Sequence, residues 1–573
     1  MLVAHGVCVQ RVVAQKKFFL SVQTTEQDRD VLSKLKLQTV HKDSASVIIY
    51  IKELLAHLHK QSYLLASADS LFFRADTVIA LVNVGEPFKW ASLKAGNVGE
   101  DMLSAVGYRE KIYTGKRFSY QQVALLEKKI LDYSENQGYP FASIRLDSIQ
   151  IAYNSIAASL HYQTGPFIRF DTVIVEGTAR LKQKYVAAFL RIGQGQAFSQ
   201  QKLARAEKLL RQTSYLTISK PASVIFKNDR AYPVFFADER KASELDGIIG
   251  FMPNEQRQNK LLITGELNLQ LRNLFRTGKA LGVKWQQIRQ ASPRLNMAYE
   301  HPALFNTPLI LSANFDLLKE DSTFLSINRQ LSIAFHTGMA GKVQFYSGLK
   351  TSRLGNNAQY KTSEILPQFS DFNLLYYGAG YTWNNLDNYF YPSRGFNLSV
   401  DGSAGNKRIL KNPFLEQTLY DGVDITSVQF SIKGHMANYF KLSPRSVLLA
   451  RLEGGKVMNP YLFRNDLFRV GGLTSLRGFN ENFFFASGYG IATAEYRFFM
   501  EATSYIFLFY DQGYVDISTY SKSKPDFPSG TGVGVSFSTN SGIFSLVYSL
   551  SQSDERKFAL NFSKIHFGFT SRF

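Results

Sequence analysis

The sequence predicts a string of small α+β modules followed by a large, closed, antiparallel β-barrel that crosses a membrane. Three observations carry this expectation. A stretch near residue 115 recurs near residue 195. From about residue 246 helical periods stop, and short runs of alternating apolar and polar residues follow one another between Gly, Asn, Ser, Asp and Pro. The chain also carries 46 Phe and 30 Tyr in 573 residues, yet it contains no run of about 18 uncharged apolar residues that would make a membrane helix. Strands that face lipid on alternate positions reconcile many aromatics with modest hydropathy.

Residues 1–16 are expected to be a truncated signal or a tail. Val12-Val13-Ala14 suits a cleavage site, but His5 and Arg11 interrupt the apolar run before it. Cys8 is the single cysteine, so an internal disulfide and a multi-cysteine metal site are excluded. A first module is expected over 17–92, with SASVIIYIKELLAHLHKQSY as its long helix. Second and third modules are expected over 93–165 and 166–243. There Gly115, Phe118, Ser119, Gln121, Glu127 and Lys128 recur as Gly195, Phe198, Ser199, Gln201, Glu207 and Lys208, offset by 80 residues throughout. Repetition at a fixed period marks a copied structural unit. Ser119 and Ser199 read as helix N-caps, and ASIRLDSIQIAY and ASVIFKNDRAYPVFF read as the strands that follow each helix.

The barrel is expected over 244–573, with roughly sixteen strands at about twenty residues per strand and turn. The last strand shows the alternation. Ile565, Phe567, Phe569 and Phe573 share one face, and His566, Gly568, Thr570 and Arg572 share the other. A soluble sandwich alternates too, but the strand number, the aromatic excess and the terminal Phe573 favour a barrel. Closure follows because lipid offers no partner to a free strand edge. The first strand, around 247–253, holds Gly247, Gly250 and Phe251, and its glycines weaken it. A weakened first strand would suit a seam able to part from the last strand, 564–573.

Charge and motifs narrow the function. A net charge of +20, not gathered into a basic tail or helix, suits anionic lipid, a polar lumen or plain solubility rather than nucleic acid. The chain holds no GxSxG, GxxxxGK or HExxH, so the common hydrolase, nucleotide and zinc-protease sites lack support. His57 and His59 lie two apart on a helix and point to different faces, which is wrong for a metal.

The tandem modules, the loop GGLTSLRGF (471–479), the stretch DNYFYPSRG (387–395) and the aromatic C-terminus together resemble the BamA/TamA superfamily of outer-membrane assembly proteins. In that superfamily βααββ modules, called POTRA domains, precede a sixteen-stranded barrel. Three modules make the chain TamA-like in size; it departs from BamA in module number and in Leu476, where valine is usual. The resemblance implies a non-enzymatic insertase or translocase in the bacterial outer membrane, with the modules in the periplasm and a lateral seam between the first and last strands. Its partners would be unfolded outer-membrane clients, outer-membrane lipid, and periplasmic or inner-membrane accessory proteins, with no nucleic acid, cofactor or metal. It further implies that the loop bearing Leu476, Arg477, Gly478 and Phe479 folds into the lumen between the eleventh and twelfth strands. Arg477 would then pair with Glu495 and Asp511. Parity agrees, since Thr493, Glu495 and Arg497 share a face. Without the resemblance, a loop arginine reads as solvated or touching lipid phosphate. A secretion pore of the same superfamily shares nearly all these features. A diffusion porin or receptor would explain the barrel but leave the repeats unexplained.

Overall fold

The computed structural model describes residues 17–253, 261–287, 292–321, 323–338, 340–355, 364–519, 522–539, 542–554, 557–560 and 563–572. Residues 1–16 and Phe573, with the expectations attached to them, lie outside these. Two compact units form: one holds the first two modules with short pieces of the third, the other most of the third module and the barrel.

In the first unit, the sheet of the first module runs Val40–His41, Phe18–Gln23, Thr77–Asn83, Ser67–Arg74. Its long helix, Ser44–Lys60, begins at Asp43, whose side chain accepts a 2.7 Å bond from the Ser46 amide in a capping box. Val47, Ile51, Leu54 and Leu58 fall on one helix face and bury against Val78, Ala80 and Val82. Each such side chain contributes about 1.5–3 kcal/mol of burial. In the second module Lys89–Lys94 pairs in parallel with Ser155–Gln163, which pairs with the outer strand Ser143–Ala152. Residues 89–92 therefore lie in this second sheet. Ser119 caps the helix Tyr120–Asn136 by accepting from the Gln122 amide at 3.3 Å. Ser199 donates to Asn136 Oδ1 at 2.8 Å.

The second unit begins with the third module. Arg230–Glu239 is its central strand, with Leu216–Ile218 and Ser223–Lys227 beside it, and the helices Gln183–Leu190 and Gln200–Arg211 complete it.

The barrel strands are β1 (Glu244–Pro253), β2 (Leu261–Leu274), β3 (Lys279–Gln287), β4 (Arg294–His301), β5 (Leu309–Glu320), β6 (Phe324–Thr337), β7 (Gly341–Leu354) and β8 (Phe372–Asn384). After these come β9 (Gly395–Ile409), β10 (Thr426–Lys441), β11 (Ser446–Met458), β12 (Gly488–Glu501), β13 (Ser504–Thr519), β14 in two pieces (Lys522–Asp526 and Ser529–Ser538), β15 (Ile543–Gln552) and β16 (Lys564–Arg572). They close antiparallel in chain order. Alternation sets the faces: on β10 Val428, Phe430, Ile432, Met436 and Phe440 are exposed outward, while Gln429, Ser431 and Lys433 line a lumenal cavity. Among the described residues no helix is long and apolar enough to cross a membrane.

Closure is uneven. β1 pairs with β2 over ten positions, from Glu244↔Gln270 to Pro253↔Leu261. Among the described residues it meets β16 at three: Glu244↔Arg572, Leu245↔Ser571 and Asp246↔Thr570. Gly247, Gly250 and Phe251 lie opposite Leu267, Thr264 and Ile263 of β2. On β16, Ile565 and Phe567 are exposed, and Phe569 packs on Phe544 of β15, with 4.7 Å between ring centres.

The stretch 387–395 is the turn from β8 to β9. Asp387 Oδ1 accepts from the Ser393 amide at 2.9 Å and the Arg394 amide at 3.1 Å, closing the turn on itself. This presents Tyr389 to Arg272 of β2 and Phe390 to Arg240 of the third module, with the guanidinium carbons 5.4 and 5.3 Å from the ring centres.

Candidate functional site

The connection from β11 to β12, residues 459–487, folds into the barrel. Its base is a two-stranded ribbon, Phe468–Val470 with Phe484–Ala486. Between these strands the chain turns through 471–479, and Leu476 and Phe479 are fully buried with Val470, Phe484, Ile491 and Val515. These apolar anchors fix the backbone on either side of Arg477 and so fix where its side chain can reach.

Arg477 is 6% exposed. Its Nε donates to Asp511 Oδ2 at 2.8 Å and its Nη2 to Asp511 Oδ1 at 2.7 Å, a bidentate fork that suits a planar guanidinium. Nη1 reaches Glu495 Oε2 at 2.5 Å, and the Arg477 amide also donates to Asp511, at 3.2 Å. Arg497 Nε holds the other Glu495 oxygen at 2.8 Å, and Thr493 Oγ1 donates to Asp511 Oδ1 at 2.8 Å. Two arginines thus meet two carboxylates, and the buried cluster is neutral. Such balance is what makes buried charge tolerable in low dielectric.

Strand register supplies the rest. Thr493 lies opposite Asp511, and Glu495 opposite Phe509. The Arg477 guanidinium stacks on the Phe509 ring at 3.6 Å. Across the next pairing Asp511, Phe509 and Phe507 face Gly530, Gly532 and Gly534 of β14. A side chain at Gly530 would overlap the Arg477 carbonyl, with its Cβ 2.1 Å away; one at Gly534 would overlap Phe507, at 2.2 Å. The glycine column in SGTGVGVSFS therefore leaves room for the loop and for the rings beneath it. Gly478, at φ +91°, sits against Ser551 of β15, whose hydroxyl donates to the Gly478 carbonyl at 2.7 Å. The loop tip is thereby bonded to or packed on β12, β13, β14 and β15.

The flanks of the loop reach other parts of the wall. Asp466 forms a fully buried ion pair with Lys407 of β9. Asn465 Nδ2 donates to Ser352 Oγ of β7 at 2.7 Å, Arg469 pairs with Glu320 of β5 at 2.9 Å, and Asn482 accepts from Arg294 of β4 at 3.5 Å. The segment is a crossbar tied to both sides of the lumen.

The structure brings Leu476, Arg477, Gly478, Phe479, Glu495 and Asp511 into one cluster. Gly247, Gly250, Phe251, Phe567 and Phe569 lie apart from it, on the two strands of the seam. Sequence reasoning missed Arg497 as a second cation, Phe509 as the platform, Ser551, and Gly530, Gly532 and Gly534. The glycines had a signal, three at alternate positions in one strand, but its meaning depends on which rings lie across from them.

A closed sixteen-stranded barrel with its own loop bolted into the lumen and α/β modules ahead of it defines an outer-membrane β-barrel protein with POTRA-like modules. The chain belongs to the Omp85 superfamily: the Omp85 superfamily domain matches residues 273–573. No curated protein sequence matches it. Among solved structures it is similar to CdiB from Escherichia coli, with 12% identity over 92% of this chain and 98% of that one and a TM-score of 0.54. It is similar to CdiB from Acinetobacter baumannii at 13% identity over 91% and 97%, with a TM-score of 0.53. BamA from Haemophilus ducreyi lacking POTRA domains 1–3 matches at 15% identity over 84% and 98%, with a TM-score of 0.42. At these identities the likeness to CdiB is one of fold alone.

Proposed function

We propose that the protein is an insertase of the bacterial outer membrane that assembles β-barrel clients, with its N-terminal modules in the periplasm. The observation that carries this reading is the seam, where among the described residues β1 meets β16 at three residue pairs. A backbone hydrogen bond contributes about 1 kcal/mol net, so among the described pairings this junction is the weakest in the wall, and a client strand can replace the bonds lost on opening. The modules supply strands for docking by augmentation, which reads backbone rather than side chains. The outer strands Ser67–Arg74, Ser143–Ala152 and Ser223–Lys227 carry exposed Phe72, Phe73, Ile149, Ile151 and Ile225. No nucleotide is required, since the client folding into lipid provides the free energy. Accessory proteins of the periplasm or inner membrane would act on the same modules.

A second reading, export of one partner through the lumen, is favoured by a polar cavity of about 380 Å³ lined by Arg294, Asp316, Lys350, Asp401 and Lys433. Depletion of the protein followed by quantification of all outer-membrane proteins separates the two. Insertion lowers many barrel proteins together, whereas export lowers one secreted client and leaves the barrels intact.

A further inference from the structure

Two neighbouring barrel turns at the module end display phenylalanines in a conformation that an aromatic side chain rarely adopts. At the end of β2 and in the turn to β3, Asn273, Phe275 and Arg276 all have left-handed backbone, at φ 56°, 56° and 61°. Between β4 and β5 the same occurs at Ala303, Phe305 and Asn306, at φ 54°, 50° and 59°. A bulky residue is strained there, and glycine would serve the turn better. Neither ring gains burial in exchange: Phe275 is 74% exposed and Phe305 86%. Strained residues that give the fold nothing visible point to a role outside it.

The surroundings are basic. The third-module helix Gln183–Leu190 lies against these turns: the Lys182 amide donates to the Arg276 carbonyl at 2.9 Å, and Tyr185 packs on Gly278. Lys182, Lys184 and Arg276 are exposed, and no carboxylate pairs with them among the described residues. Further along, Phe189 meets His336 at the end of β6. There Arg205 Nη2 donates to the His336 carbonyl at 3.2 Å, while its buried Nε has no partner. Burial and the neighbouring Arg205 hold Arg191 below its usual range. Apolar rings beside unpaired cations, in turns just beyond membrane strands, match the chemistry of the interface, where rings enter the headgroup layer and cations meet phosphate.

We propose that Phe275 and Phe305 are wedges that enter the near leaflet of the bilayer, with Lys182, Lys184 and Arg276 on the phosphates of an anionic phospholipid, so that the third module is seated on the membrane beside β1. This goes beyond client insertion and holds equally for an exporter. It requires only that the barrel span a membrane.

The test uses the full chain with Cys8→Ser and either Phe275→Cys or Phe305→Cys, carrying an environment-sensitive fluorophore. The protein is reconstituted in vesicles of phosphatidylcholine, alone or with phosphatidylglycerol. The expected result is blue-shifted emission, quenched by lipids bearing a nitroxide near the headgroup, with quenching stronger when phosphatidylglycerol is present. Lys182→Glu with Lys184→Glu and Arg276→Glu should remove that extra quenching. Water-like, unquenched emission at both positions overturns the wedge, and quenching indifferent to phosphatidylglycerol overturns the anionic lipid. A shift that appears only when a soluble periplasmic extract is added would mean a protein partner, and overturns the proposal too. A photoreactive phosphatidylglycerol needs no substitution: the unaltered protein should carry adducts on 273–279 and 303–308, and adducts only elsewhere contradict the seat.

Discussion

Arg477 is held by three kinds of contact that can be separated by substitution: the fork to Asp511, the single bond to Glu495 and the stack on Phe509. Breaking a buried pair by removing one partner costs about 3–5 kcal/mol, because the other charge is stranded. In Arg477→Ala the stranded group is Asp511, since Glu495 keeps Arg497 at 2.8 Å. The loss should therefore fall in that range, measured by urea titration of the folded barrel, and Asp511→Asn made together with Arg477→Ala should recover part of it. The coupling of Arg477 with Asp511 should exceed that with Glu495 in double-mutant cycles. Additivity within about 0.5 kcal/mol for both pairs would contradict the geometry. Arg477→Lys should rescue weakly, because an ammonium cannot reproduce the fork or lie flat on a ring. From sequence, parity put Glu495 and Arg497 on the same face, but only the loop's entry into the lumen turns a face into a charge cluster. That entry came from resemblance, and Phe509 stayed unread because parity gives its face, shared with Asp511, but not the register that sets it beneath Arg477.

At the scale of elements, the seam and the glycine strand have different legibility. Gly247 and Gly250 suggested a weak first strand, yet the pairing with β2 runs straight through both. What distinguishes the seam is where pairing with β16 stops, and that depends on register, which composition does not encode. Disulfides across the observed pairs test it. Leu245→Cys with Ser571→Cys, in a Cys8→Ser chain, should cross-link on oxidation and retain the folded barrel while abolishing client insertion in reconstituted vesicles. Reduction should restore it. Full insertion by the locked protein would reject lateral opening. The alternating glycines of β14 were visible as letters, but their reason lies in Phe507, Phe509 and the Arg477 backbone opposite.

For the whole molecule, the 80-residue repeat and the change of texture near 246 announced modules and barrel, because both are periodic properties of the chain. How the loop ties β4, β5, β7 and β9 to the wall at β12–β15 was not legible, since those contacts join residues far apart in sequence. The protein should fractionate with outer membranes and show heat-modifiable mobility on gels, as closed barrels do; recovery without detergent in the soluble fraction would contradict a lipid-facing wall.

The crossbar also sets the order of events during folding. Its bonds join residues 113, 149 and 188 positions apart, and closing loops of that size slows folding before any contact repays it. The segment must enter while the wall is still open, since a shut barrel leaves no route for a buried Lys407–Asp466 pair to form. Refolding into detergent should therefore pass through a long-lived species with β-structure but no heat-modifiable band. Deleting 464–482 should shorten that lag while lowering the final stability, so that speed and endurance move in opposite directions. An unchanged lag would place the slow step elsewhere.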